Sequence, residues 1–202
     1  MIELYLDVDG VVLDFESSFV DFVRDEFIPD LPPDYILQTW EMSDEFKDLD
    51  IERVWKQFVN SDRFRRMKLL VDGESFNQLS RQYPLYLVTN IPNQQFQSRS
   101  ENLAFHGLEY SGLFLAGHFN FGDDSYPTKS QVIQRLHQPG NRLIFLDDHP
   151  KNCDDIKQHF PESHVYLMER PHNKAVEDRE WVRIRNWGEF NKRIISSIAT
   201  GP

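Results

Sequence analysis

Short runs of apolar residues recur along this chain, separated by stretches with helical patterning. Four runs stand out, Ile2–Leu6, Leu85–Val88, Leu143–Leu146 and Val165–Met168, with a weaker fifth at Leu113–Leu115. Each has the length of a β-strand and is rich in β-branched or aromatic residues. Strands that alternate with helices are typical of a mostly parallel sheet with helices on both faces.

The stretch between about residues 14 and 80 contains no clear strand and is patterned as helix. Apolar side chains recur there at helical spacing, and prolines then break the pattern. Three helices are predicted, over Phe15–Phe27, from Ser43 onwards and over Asp50–Phe58. Asp72-Gly73 is interpreted as a turn. We therefore predict that residues 15–80 form a helical cap, inserted into an α/β core domain of residues 1–14 and 81–202.

The C-terminal residues, Lys174 to Ile198, have mixed charge followed by Trp187 and Phe190. We interpret this segment as a final helix that packs on the core. The length of 202 residues suits one α/β domain, or a core domain with a small insertion.

The charge balance limits the partners of the protein. The formal net charge is −11, and the acidic residues are spread along the chain. A nucleic-acid polymer or an anionic membrane as main partner needs clustered Lys and Arg, so both are disfavoured. A small anionic substrate stays compatible, because a few placed cations or one metal ion can invert the field locally.

Other features of the composition favour a cytoplasmic location. The single cysteine, Cys153, excludes an intrachain disulfide and fits a reducing compartment. The first residues lack the basic and long apolar regions of a signal peptide. No apolar stretch approaches the roughly 20 residues that a transmembrane helix needs.

Two acidic pairs directly follow apolar strands. Asp7 and Asp9 lie at the end of the first strand, and Gly10 allows a sharp turn after them. A turn with two solvated acids is one alternative. A calcium loop is another, disfavoured because a strand precedes the pair and Val11 follows where ligands should continue.

The second pair, Asp147-Asp148, follows the strand Leu143–Leu146. Burying four carboxylates at one edge of a sheet is severely unfavourable unless a cation joins them. Ligands that are all oxygen suit Mg²⁺. The alternative is a pair of acids that caps the next helix.

Three further polar residues have positions that suit anion binding. Thr89 and Asn90 end the second strand, and Lys129 precedes a predicted helix, Ser130–Leu136. In open α/β sheets the ligand crevice lies at the carboxyl ends of the strands, so the polar ends of three strands should converge. Taken alone, Thr89-Asn90 is typical of any strand end, and a lone lysine is usually a solvated charge.

Together these features resemble the four motifs of the haloacid dehalogenase (HAD) superfamily, in their usual order. The correspondence runs through Asp7-Val8-Asp9, Thr89-Asn90, Lys129 and Asp147-Asp148. The resemblance covers the whole predicted core. It implies a HAD-like Rossmannoid core of three layers with a central parallel sheet, and a small helical cap after the first strand.

A closer resemblance is to the 5′(3′)-deoxyribonucleotidase branch of that superfamily. It rests on the stretch from Asp7 to Phe15, on the helical insertion and on the second acidic pair. That branch usually has Thr-Ser-Pro in the second motif, whereas this chain has Thr89-Asn90-Ile91.

The resemblance implies a Mg²⁺-dependent phosphatase acting on a nucleotide or another small phosphorylated metabolite. Asp7 would attack phosphorus and form an aspartyl-phosphate. Asp9 would protonate the leaving oxygen and then deprotonate the attacking water. Mg²⁺ would be held by the Asp7 carboxylate, the Asp9 backbone carbonyl and Asp148, with Asp147 orienting ligands or waters.

The same resemblance assigns the remaining site residues. Thr89 and the Asn90 backbone N–H would bind phosphoryl oxygens, and Lys129 would neutralise both Asp7 and the phosphoryl group. Asn152 is a candidate polar partner behind the metal site. His149 is interpreted as a helix-start residue rather than a ligand.

In the deoxyribonucleotidases a phenylalanine at the position of Phe15 packs on the base, and Trp40, Phe46 and Trp55 could complete an apolar slot. Aromatic residues at helical spacing are more often core, which is the alternative for all four. Two other functions stay open. One is a phosphomutase of the same superfamily, and the other is a catalytically silent binding module on the same fold.

Overall fold

A computed structural model describes residues 1–39, 41–116, 127–177 and 179–199. Its strands are β1 (Ile2–Leu6), β2 (Leu85–Thr89), β3 (Gly112–Leu115), β4 (Arg142–Asp147), β5 (His164–Met168) and β6 (Val182–Ile184). Its helices are α1 (Phe15–Glu26), α2 (Met42–Glu45), α3 (Ile51–Val59), α4 (Asp62–Arg65), α5 (Gly73–Gln82), α6 (Phe96–Phe105), α7 (Lys129–Leu136), α8 (Pro150–His159) and α9 (Trp187–Ala199). The predicted α/β class is confirmed.

The strands form one parallel sheet in the order β3-β2-β1-β4-β5-β6. β1 lies between β2 and β4, with Leu4 opposite both Leu85 and Ile144. The order reverses at β1, since β2 and β3 lie on one side and β4 to β6 on the other. The carboxyl ends on either side of such a reversal form the usual ligand crevice of this architecture.

Helices cover both faces of the sheet. The side chains of each strand alternate between the two faces, so each face has its own apolar cluster. Leu4 and Leu6 belong to one buried apolar cluster, which also contains side chains of the segment between β1 and β2. Tyr5 and Phe145 belong to a second cluster on the other face, together with Cys153 of α8. The predicted three layers are therefore present.

Two sequence interpretations were wrong. The segment from Lys174 is not one helix, since Val182–Ile184 forms the edge strand β6 and α9 begins only at Trp187. Asp72-Gly73 is not a simple turn, because the Asp72 side chain accepts a hydrogen bond from Ser75 N at 2.8 Å and caps α5. An N-cap and a turn use the same residue types, so the local pattern did not separate them.

The two ends of the helical segment after β1 lie side by side and are joined by backbone hydrogen bonds. Leu70 N donates to Val12 O at 2.8 Å, and Asp14 N donates to Lys68 O at 2.9 Å. The helices α1, α3 and α4 pack around Phe58, whose ring lies 5.2 Å from that of Phe19. The division into a cap of residues 15–80 and a core stays a prediction.

The amino-terminal ends of the strands carry a buried polar cluster far from the crevice. The Glu3 carboxylate accepts hydrogen bonds from Tyr5 Oη at 3.0 Å and Asn141 Nδ2 at 2.7 Å, and His137 Nδ1 lies 2.5 Å away. Burial alone would raise the pKa of Glu3, but these hydrogen bonds outweigh it and lower the pKa. The ionised carboxylate therefore stabilises this edge of the sheet.

We expect Glu3→Gln to lower the free energy of unfolding by about 2 kcal/mol at pH 7, because an amide cannot accept from all of these donors. A lowered pKa means that the stabilisation is present above the pKa of unfolded Glu and is lost as the pH falls through the folded value. Urea unfolding at pH 7 and at pH 3.5 checks this, and the difference between variant and wild type should shrink at the lower pH. An equal difference at both values would contradict the role of the charge.

Across the described ranges, no helix combines the length and the hydropathy that crossing a membrane requires.

Candidate active site

The carboxyl ends of β1 and β4 bring three buried carboxylates together. Asp7 follows β1, Asp147 ends β4 and Asp148 follows it. One carboxylate oxygen of each lies within 4.8 Å of the others. The convergence predicted from the sequence is therefore present for these three residues.

Lys129 joins two of the three acids. Its Nζ lies 2.8 Å from Asp7 Oδ1 and 2.7 Å from Asp147 Oδ2, and its side chain is fully buried. Lys129 is the first residue of α7, and the Thr128 capping box fixes the start of that helix. Although burial lowers the pKa of Lys129, Asp147 and Asp7 raise it overall, so the ammonium stays charged.

The charges of this cluster do not balance. Three ionised carboxylates and one ammonium leave a formal charge of −2. Burial raises the pKa of Asp7 and of Asp148, which shows that ionising them without a further cation is unfavourable. Asp148 Oδ1 is buried and has no hydrogen-bond partner within the described ranges. A divalent cation with oxygen ligands fits both the charge and this open valence.

Asn152 of α8 and His149, which directly precedes α8, both contact Asp147. Asn152 Nδ2 lies 3.1 Å from both carboxylate oxygens of Asp147. His149 N donates to Asp147 Oδ1 at 2.8 Å, and its ring Nδ1 accepts from Lys151 N at 3.2 Å, which makes His149 the N-cap of α8. The sequence interpretation of His149 as a helix-start residue is confirmed.

Gly10 lets the chain pass close to Asp148. It has a positive φ of 72°, and an added Cβ would lie 1.9 Å from Asp148 Oδ2. The amides of Val12 and Leu13 both donate to Val8 O at 2.8 Å, which closes a tight turn. A side chain at position 10 is therefore excluded by backbone conformation and by contact.

We expect Gly10→Ala to weaken divalent-metal binding by at least about tenfold, because Asp148 must leave its place. The strained backbone should cost about 1 kcal/mol of folding free energy. Isothermal titration with Mg²⁺ and thermal unfolding in EDTA measure the two effects. Gly140→Ala has a positive φ and open space around its Cβ, so this control should lose stability but keep the metal affinity.

Asp9 does not join the group of three carboxylates. Both of its carboxylate oxygens accept from Arg99 Nη2 at 2.7 Å. Burial raises the pKa of Asp9, and Arg99 partly opposes this shift. Sequence reasoning missed Arg99, which lies on α6; a signal was its position four residues before Leu103 on the buried face of that helix.

Thr89 and Asn90 lie at the end of β2 as predicted. Thr89 is fully buried, and within the described ranges its Oγ1 has no hydrogen-bond partner. Asn90 is half-buried, and its Oδ1 lies 3.5 Å from Asn152 Nδ2. A buried hydroxyl with an open valence is suited to an oxygen ligand that is not part of the protein.

A cavity of about 280 Å³ opens beside Asp9 and Asp148, between the sheet edge and the helical segment. Phe15 lines it, and the Phe15 ring also lies 5.8 Å from Phe19 and 5.7 Å from Trp55. Phe15 thus contributes to both the core and the cavity. Among the described residues, the lining includes neither Phe46 nor Trp55, and Trp40 lies outside the described residues.

The cavity also contains polar residues that sequence reasoning missed. Arg170 and His172 follow β5, and Arg170 Nε donates to Gly10 O at 2.6 Å. His172 Nδ1 lies 3.8 Å from Glu16 Oε2, and its Nε2 lies 3.6 Å from Asp148 Oδ2. Burial raises the pKa of Glu16 to about 7 and lowers that of His172 to about 4, so the imidazole is neutral at pH 7. Polar residues follow β5 as they follow β1, β2 and β4, and this pattern in the sequence could have indicated Arg170 and His172.

Comparison with protein families gives a match over almost the whole chain. The model of the family described as 5′ nucleotidase, deoxy (Pyrimidine), cytosolic type C protein matches residues 1–199. No curated protein sequence matches significantly.

Several solved structures share the fold. A haloacid dehalogenase-like hydrolase from Streptococcus pneumoniae has a TM-score of 0.62 at 15% identity, over 98% of each chain. An L-2-haloacid dehalogenase has a TM-score of 0.60 at 14% identity, over 96% of this chain and 99% of the other. D,D-heptose 1,7-bisphosphate phosphatase from B. bronchiseptica, solved with magnesium and phosphate, has a TM-score of 0.57 at 12% identity, over 98% and 99%. These identities support a common fold only.

Proposed function

The chain belongs to the family of cytosolic type C 5′ deoxynucleotidases, hydrolases of the HAD superfamily, and on that premise we propose a Mg²⁺-dependent phosphatase. Its substrate would be a small phosphate monoester, with a nucleoside 5′-monophosphate as the leading class. The observation that carries the proposal is the buried cluster of Asp7, Asp147, Asp148 and Lys129 with its residual charge of −2.

In the proposed reaction Asp7 attacks phosphorus, forms an aspartyl-phosphate and releases the alcohol. Lys129, 2.8 Å from Asp7, would offset the charge of the nucleophile and of the phosphoryl group as they approach. Water then attacks the aspartyl-phosphate, releases inorganic phosphate and regenerates Asp7.

Mg²⁺ would be held by the carboxylates of Asp7 and Asp148 and by the backbone carbonyl of Asp9, with Asp147 orienting ligands or waters. When bound, the ion supplies charge stabilisation to the transferring group. The magnesium and phosphate of the heptose bisphosphate phosphatase structure support the same chemistry on this fold. Thr89 Oγ1 and the Asn90 N–H would hold phosphoryl oxygens, which explains the buried hydroxyl.

Asp9 would donate a proton to the leaving oxygen and later take one from the attacking water. Asp9 lines the cavity, so the leaving group would occupy that space, with Phe15 against a base or another flat apolar group. The helical segment would act as a cap that excludes water and selects the substrate. The family's cytosolic description supports a cytoplasmic location.

Phosphate release tests the proposal. Nucleoside monophosphates, deoxynucleoside monophosphates, sugar phosphates and p-nitrophenyl phosphate are compared in Mg²⁺ and in EDTA. Release that needs Mg²⁺ and favours nucleotides is the expected result. Release from sugar phosphates alone would keep the phosphatase and remove the nucleotidase. Activation by a sugar bisphosphate would indicate a phosphomutase, and no release by a folded protein that binds Mg²⁺ would indicate a silent module.

A further inference from the structure

We propose that Arg99 is a positioning residue that holds Asp9 for proton transfer to and from the substrate oxygen, a role that rests on the proposed function. Arg99 lies on α6, ninety positions from Asp9 in the sequence, and its side chain is fully buried. One nitrogen, Nη2, contacts both Asp9 oxygens at 2.7 Å. Contact to both oxygens restricts rotation of the carboxylate about its last bond.

The ion pair with Arg99 leaves part of the Asp9 side chain exposed to solvent. The Asp9 side chain keeps 22% of its surface exposed, whereas that of Arg99 has none. Asp9 also lines the cavity. A carboxylate that is fixed by a buried partner, is partly exposed and belongs to a residue lining the cavity is suited to meet a leaving oxygen there.

Arg99 also offsets the charge of Asp9, with which it forms an ion pair at 2.7 Å. The Asp9–Arg99 pair is neutral as a unit, so the cluster keeps its charge of −2 for a divalent ion.

The helical segment after β1 helps to hold Arg99. The guanidinium carbon lies 4.7 Å from the centre of the buried Phe64 ring, which belongs to α4. Arg99 Nε and Nη1 are buried and make no hydrogen bond with any described residue. Asp9 and the face of Phe64 are therefore the contacts that offset its charge, and the direction of the guanidinium is set by both.

A purely structural role is the alternative, in which the buried pair only ties α6 to the turn after β1. The two roles differ in their dependence on the leaving group. A nucleoside alkoxide needs a proton as it leaves, whereas p-nitrophenolate leaves readily without one. Misplacing Asp9 should therefore slow cleavage of the nucleoside monophosphate. It should leave the release of p-nitrophenolate from p-nitrophenyl phosphate nearly unchanged.

The test compares Arg99→Met and Arg99→Lys with wild type. We expect Arg99→Met to lower kcat for a nucleoside monophosphate by about 100-fold or more, the contribution of one acid–base group. The rapid first release of p-nitrophenolate, followed before steady state, should stay within a few-fold of wild type. For the nucleoside monophosphate, the kcat of Arg99→Lys should lie between those of wild type and Arg99→Met. Arg65→Met, on the same helical segment as Phe64 and 40% exposed, is the matched control and should behave as wild type.

A second measurement uses Asp9→Asn. Adding Arg99→Met to Asp9→Asn should cause little further loss of kcat if Arg99 acts through Asp9. Equal loss on both esters, or losses that multiply in the double variant, would overturn the inference while leaving the phosphatase intact. If Arg99→Met does not fold, Arg99→Lys carries both comparisons. Absence of phosphate release by wild type would instead overturn the proposed function, and the inference with it.

Discussion

Asp7→Asn should lower turnover by at least about four orders of magnitude, the scale of removing a covalent nucleophile, while the metal-free protein keeps or gains stability. Burial and the neighbouring Asp147 raise the pKa of Asp7 above its unfolded value, so ionising it at pH 7 costs the folded state free energy. An asparagine has nearly the same shape and removes that cost. Lys129 keeps its contact with Asp147 at 2.7 Å.

Phosphate release and thermal unfolding in EDTA check the two halves of this prediction. Asp34→Asn, an exposed acid between α1 and α2, is the control and should change neither quantity. Turnover near the wild-type level by a folded Asp7→Asn protein would remove Asp7 as nucleophile. A large loss of stability in EDTA would instead show that Asp7 is needed for the fold.

Lys129→Met should have the largest effect on stability, because it leaves Asp7 and Asp147 buried without their cation. Removing one partner of a buried ion pair costs about 3–5 kcal/mol, which lowers the melting temperature by roughly 10 °C in a protein of this size. The formal charge of the cluster then becomes −3. Mg²⁺ should therefore stabilise the variant more than it stabilises wild type, although turnover falls.

Thermal unfolding across a Mg²⁺ series in wild type and Lys129→Met measures this difference. Lys192→Met removes an exposed lysine from α9 and should leave both stability and metal response unchanged. An equal Mg²⁺ response in the two proteins would contradict the view that Lys129 and the metal neutralise the same carboxylates.

Four of the five strands predicted from the sequence are mostly buried, whereas the weaker fifth, β3, lies at a sheet edge and is half-buried. A buried parallel strand is an almost continuous apolar run, which is visible without any partner. β6 is different, since it has three residues at the sheet edge and Arg183 at its centre. Its strand conformation depends on pairing with β5, and a local pattern does not contain that information.

The same distinction explains which site residues were found. Asp7, Asp147 and Asp148 lie at the carboxyl ends of strands, so topology predicts that they meet. Lys129 was assigned to the site by its place among the motifs of the resemblance. Arg99 lies inside a helix, where arginine is usually solvated, and its role depends on a partner that only tertiary structure brings near. Arg170 also follows a strand, as the acids do. A positively charged side chain is not a metal ligand, so the pattern that indicated a metal site did not include it.

The central position of β1 also affects how the chain begins to fold. β1 is synthesised before both of its neighbours, β2 and β4, and Ile2 to Leu6 pair with Arg142 to Leu146. Until that stretch has been made, a nascent chain has an apolar strand with one edge unpaired. Such an edge is a template for association with other chains. A truncated chain that ends before Arg142 is therefore expected to depend on chaperones, whereas the finished protein has no need of them to protect this strand.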